Sequence, residues 1–250
     1  MNNDNSTIVE IQSLFNFIER ATAVKHSIPD SPINDDNSVN DDIIRSFDIN
    51  SYLQAFDKIK LKRGKVLSYV YAYNRHGGMP YVYAKDITEE PIQDINKFWK
   101  QFPQTRADSI LGQDNDLNTI STYEKALTFE QSFLGYVQHS LFLWTSNKFF
   151  LFWHALYHRR TYFFSKQSLE AQIERIVKSD YTFSPEERAV IDIIDPYPKV
   201  LVFDNKVEVY LLSMDSHTMA FDWNKTTYNN GIVTAMDVIN IVEERVTVFY

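Results

Sequence analysis

Two histidines four residues apart, His154 and His158, form the one spacing in this 250-residue chain with a direct chemical reading. On a helix such a pair shares a face and can ligate one metal ion. With His139 as third ligand the set would hold a divalent metal such as Zn²⁺, and a metal-dependent hydrolase would follow. Ala155 stands where H-E-x-x-H enzymes carry their glutamate, so the motif is incomplete. The plainer reading is a histidine pair closing a core helix beside Arg159 and Arg160, where cations suit the carboxyl end.

A second constellation is Arg75-His76-Gly77-Gly78. Arg and His can hold an anion, and two glycines let backbone approach a ligand. The same residues also suit an ordinary hairpin turn that needs positive φ. Tyr71 and Tyr73 precede this turn on one face of a strand, with Tyr69, and are binding candidates. So are Asp35, Asp36, Asp41 and Asp42, in the most acidic part of the chain. Arg159 and Arg160, with Tyr157 and Tyr162, could grip a phosphate or stack on a base. Phosphate-loop, dinucleotide, kinase and zinc-protease signatures are all missing. The reading therefore leans away from an enzyme, and no cofactor is expected unless the histidines bind metal.

The elements that must position these residues follow from hydrophobic periodicity. Ile8, Ile11, Leu14, Phe15 and Ile18 make one apolar stripe, which predicts an amphipathic helix within 1–26. Residues 27–42 hold two Pro and five Asp and read as an acidic linker. The remainder, 43–250, is expected to be a single α+β domain. Alternation over 65–73 and 79–84 predicts a hairpin, and 199–203 with 206–213 predicts another, extended to 223 by a third strand. Between them, 121–194 reads as a helical region. It opens with a helix over about 121–145 with room for a break before 129, since Ser121-x-x-Glu124 and Thr128-x-x-Gln131 both fit the capping box. Helices near 148–164 and 169–179 follow, then one opened by Ser184-Pro185-Glu186-Glu187. Thr234-x-x-Asp237 predicts a last helix over 235–244. The fold class is thus α+β, with antiparallel hairpins at about 65–84 and 199–223 packed around an aromatic helical centre.

That centre, 133–164, holds 12 of the 37 aromatic residues. Its apolar run is interrupted by Asn147-Lys148, so neither half reaches the roughly 20 residues needed to span a bilayer. The chain has no Cys, which excludes disulfides and thiolate chemistry and suits a cytoplasmic setting. The first 12 residues have no secretory pattern. Net charge is −8, of which residues 1–57 supply −7. A nucleic-acid partner is not expected from such a balance.

Three functions fit. The first is a protein-binding module with a basic partner, in its narrowest form an immunity-type protein that neutralises a basic toxin. The second is the histidine-based hydrolase. The third is a small-ligand protein with an aromatic pocket beside Trp144 or Trp153.

Overall fold

The computed structural model describes residues 12–23, 32–34, 38–74, 77–108, 117–149, 152–153, 160–179, 181–215 and 218–242. The chain divides into two compact units, 1–154 and 155–250. Both contain helices and antiparallel sheet, so the α+β class holds.

The first unit begins with helix α1 (12–23), whose Leu14 and Phe17 are buried. Pro32–Asn34 and Ser38–Asn40 are tied by an Ile33/Val39 bridge, and the Asn40 side chain caps α2 (Asp41–Ser46). Asp48 caps α3 (Ile49–Gln54). Strand β1 (Ile59–Leu61) follows, then the hairpin β2 (Lys65–Asn74) and β3 (Gly77–Asp86). Its register runs unbroken from Lys65/Asp86 to Asn74/Gly77. The alternation places Val70 and Ala72 inward, while Tyr69, Tyr71 and Tyr73 stay half-buried on the other face.

Helix α4 (Ile95–Gln101) starts at an Asp94 cap. It covers the inner face of the hairpin, with Phe98 against Tyr81 and Tyr83. The short helix α5 (Leu117–Ile120) and strand β4 (Leu127–Phe129), paired with β1, lead into α6 (Phe133–Thr145).

The helix predicted from 121 to 145 therefore holds only from Phe133 on, and its first half is corrected. Thr128 does not cap a helix; it pairs with Lys60 in the sheet, and Ser132 caps α6 through the Gly135 N–H at 3.2 Å. From Leu134 to Trp144 every α6 residue is buried. Its Phe142 contacts Phe56, Tyr52 and Tyr123, and Phe56 contacts Phe17. Gly135 lies where α6 passes the Glu130 backbone, and a Cβ there would sit 2.9 Å from the Glu130 carbonyl carbon. Backbone cannot yield as a side-chain tip can. Gly135→Ala should therefore destabilise the first unit by about 2–3 kcal/mol, after allowing for about 1 kcal/mol of better helix propensity. Urea unfolding of the two chains measures it.

The predicted helix over 148–164 is also corrected. Phe152–Trp153 form β5, paired to Gly77 and Gly78, and Arg160–Phe163 form β6 of the second unit. The run 149–153 is apolar at every position and has no period, so it fits a buried strand as well as a buried helix.

In the second unit a five-stranded antiparallel sheet is backed by α7 (Lys166–Lys178) and α8 (Pro185–Ile193). Both helices open on capping boxes, at Ser165 and Ser184. Leu169, Ile173, Ile176 and Ile191 pack on Phe163, Leu212, Met214 and Phe221 of the sheet. Strand β7 (Lys199–Val202) pairs with β8 (Lys206–Asp215), then β9 (Phe221–Asn229) and β10 (Ile232–Val242) complete the meander. The helix predicted over 235–244 is strand to Val242. Asn230 and Gly231, at φ 50° and 76°, make the tight turn that returns β10 along β9. Positive φ at both central residues matches the strand twist.

Candidate binding site

A cleft of about 710 Å³ opens in the first unit. The outer face of β2 lines it with Tyr69, Tyr71 and Tyr73. Helix α2 and the residues after it contribute Asp41, Ile44, Arg45 and Phe47, the segment before α4 contributes Pro91 and Ile92, and α4 itself contributes Ile95.

Each tyrosine has a distinct setting. The Tyr69 hydroxyl donates to the Ile44 carbonyl, and lies 3.3 Å from that of Phe47, so it ties α2 to the strand. Its ring meets Phe149 edge-on at 4.8 Å. Tyr71 lies over Gly78: a Cβ on that glycine would come within 2.7 Å of Tyr71 Cζ. Gly78 therefore serves as the seat of an aromatic ring inside β3. It is not a positive-φ turn residue; among the described residues those glycines are Gly64 and Gly231. Burial raises the pKa of both Tyr69 and Tyr71, so they stay neutral hydroxyls at neutral pH.

The charged groups are modest. Asp41 and Arg45 pair at 3.8 Å one helical turn apart, both largely exposed. Burial opposes ionisation of Asp48, but hydrogen bonds from Asn50 and Ser51 outweigh it and hold the pKa below the usual value. Asp48 thus acts as a helix cap. Asn50 completes the frame, exchanging hydrogen bonds with the Leu67 N–H (2.9 Å) and carbonyl (3.0 Å). The described lining has no His, Lys or Cys and no nucleophile beside a base.

No protein-family model, curated protein or solved structure matches this chain. The site must be read from its own residues.

Of the residues singled out by sequence, Tyr71, Tyr73 and Asp41 come together in the cleft. Asp42 is exposed on the same helix but outside the lining. Gly77 and Gly78 lie in β3. Asp35, Asp36, Arg75, His76, His154 and His158 fall outside the described residues. His139 is described: it is buried in α6, its ring stacked on Phe129 at 4.2 Å. Among the described residues, no three His, Cys, Asp or Glu are grouped as metal ligands. Trp144 is packed into the same buried helix and lines no part of this cleft.

Arg160 is committed to structure. It pairs with Asp222 at 2.7 Å inside the second unit and does not present a phosphate grip. Among the described residues no helix is long and apolar enough to cross a membrane.

Sequence reasoning missed Ile44, Arg45 and Ile92 as cleft walls. No local signal marks them, since they qualify only through packing onto β2. Tyr69 did carry a signal, its parity with Tyr71 and Tyr73.

Proposed function

We propose that the chain is a protein-binding module whose contact site is the cleft over β2. The observation that carries this reading is the convergence of Tyr71 and Tyr73 with Asp41 and Arg45 around one opening. Rigid aromatic groups at low entropic cost, ringed by a few charges, are what protein interfaces use as anchors. The −7 charge of residues 1–57 favours a basic partner and faster encounter with it. The narrow form of the proposal is an immunity-type protein that occludes a basic toxin in the cytoplasm, where a cysteine-free chain is at home.

The test is capture from extract of the native cell, followed by reconstitution with the purified partner. The wild-type chain should form a stoichiometric complex that weakens as salt rises. Tyr73→Ala should weaken it at least about tenfold, as expected of an interface anchor. A partner bound equally by the variant places the contact elsewhere.

The cleft volume favours a second reading, a small-ligand protein, because sites for such ligands run at about 300–1,000 Å³. Native mass spectrometry distinguishes it: a co-purifying small molecule, lost in Tyr73→Ala, would displace the protein-partner reading.

A further inference from the structure

The second unit carries a sheet edge of unusual character. Strand β7 reads Lys-Val-Leu-Val and is followed by Phe203. Leu201, Val202 and Phe203 are 45%, 73% and 48% exposed. Among the described residues its one strand partner is β8.

The hydrogen-bond parity of this hairpin is fixed by its turn, where the Phe203 N–H donates to the Lys206 carbonyl at 2.8 Å. Leu201 and Lys199 share that parity and bond to β8. Val200 and Val202 then direct their N–H and C=O groups away from it. No described backbone group outside the hairpin bonds them.

Exposed edges are normally blunted by charge, proline or a bulge. The opposite edge of this sheet follows the rule: β10 has two register irregularities, at Val233/Ala235 and Asn240/Val242. Strand β7 does not follow it. Its register with β8 is continuous, and no charge falls between Val200 and Phe203.

We infer that β7 is a self-association strand, pairing antiparallel with β7 of a second copy of this chain about a two-fold axis at Leu201. That register uses both outward residues. Val200 meets Val202 of the second copy in a hydrogen-bonded pair, and Val202 meets its Val200, giving four backbone bonds. Leu201 faces its own equivalent at the close, non-hydrogen-bonded position. Lys199 stands opposite Phe203 of the second copy, so no like charges oppose across the pairing. The pairing is isologous and closes at two copies, which is how an apolar edge is used without growing a fibre. It belongs to the second unit and stands independently of the cleft in the first.

Sedimentation velocity on the full chain over about 5–500 µM tests it, a range suited to a small interface. The wild-type mass should rise from one chain to two. Val202→Pro removes an outward N–H that the fold does not use and should raise the dissociation constant at least tenfold. Val202→Lys, which keeps the backbone donor, should do the same if the proline variant fails to fold.

The cysteine-free background allows a direct check of register. Leu201→Cys should oxidise to a disulfide-linked dimer, whereas Ile232→Cys, 60% exposed on β10, should not. A chain that stays monomeric throughout, folded Val202 variants that associate like wild type, or cross-linking no faster at Leu201→Cys than at Ile232→Cys would each overturn the inference.

Discussion

Moving the protein from pH 7 to pH 4 should cost about 3 kcal/mol of stability through His139 alone. The imidazole is 2% exposed in α6, and burial lowers its pKa to about 3. In the unfolded chain it takes a proton near pH 6.5. Between these values the unfolded state binds more protons than the native state, so stability falls as pH falls. Above pH 6.5 the residue is neutral in both states and contributes no slope.

The local reason is packing. His139 lies inside α6 with its ring stacked on Phe129 at 15° between ring planes, and it is burial away from water that penalises the cation. Urea unfolding at pH 7, 5.5 and 4, for wild type and His139→Gln, isolates the effect. The carboxylates titrate in both chains and cancel in the difference. The wild type should lose about 3 kcal/mol more than the variant by pH 4, and parallel profiles would refute the assignment.

Arg160→Ala should destabilise the second unit by about 3–5 kcal/mol, the range for stranding one member of a buried ion pair. The Arg160–Asp222 bond is 2.7 Å long, with side chains 11% and 4% exposed. Arg160 also donates to Ser213 Oγ at 3.1 Å, and Asn224 Nδ2 donates to the same oxygen at 2.6 Å. The pair therefore anchors a polar network across β6, β8 and β9. Removing the guanidinium leaves a buried carboxylate without its countercharge.

The double variant Arg160→Met/Asp222→Leu should recover most of the loss, because an apolar pair of similar volume has no charge to desolvate. Circular dichroism during urea unfolding of the wild type, Arg160→Met, Asp222→Leu and the double variant supplies the four stabilities of the cycle. Strict additivity of the two single changes would show that the pair is not coupled.

Much of the fold was legible where local and global signals agree. The β2–β3 hairpin was readable because alternation at Val70, Tyr71, Ala72 and Tyr73 coincides with burial on one face. Helix α8 was readable because Ser184, Pro185 and Glu187 supply cap, first turn and capping box together. The misread segments lack such agreement. Residues 149–153 are apolar at every position, so periodicity there cannot separate helix from strand. In 232–242, a capping pattern at Thr234 competed with the Asn230-Gly231 turn and a run of β-branched residues, and the turn prevailed. Half of the candidate site was visible on the same grounds. Strand parity placed Tyr71 and Tyr73 together before any tertiary contact was known. Arg45 and Ile92 were invisible because their role depends on contacts made between separate elements.

The division at residues 154 and 155 has a spectroscopic consequence. Trp99, Trp144 and Trp153 belong to the first unit, and Trp223 alone to the second. Indole fluorescence therefore reports the first unit three to one. A thermal midpoint taken from it describes that unit and becomes a property of the whole chain only if a second probe gives the same transition. Trp223, with the Lys199 ammonium 4.5 Å above its ring, is the natural single-site reporter for the other half.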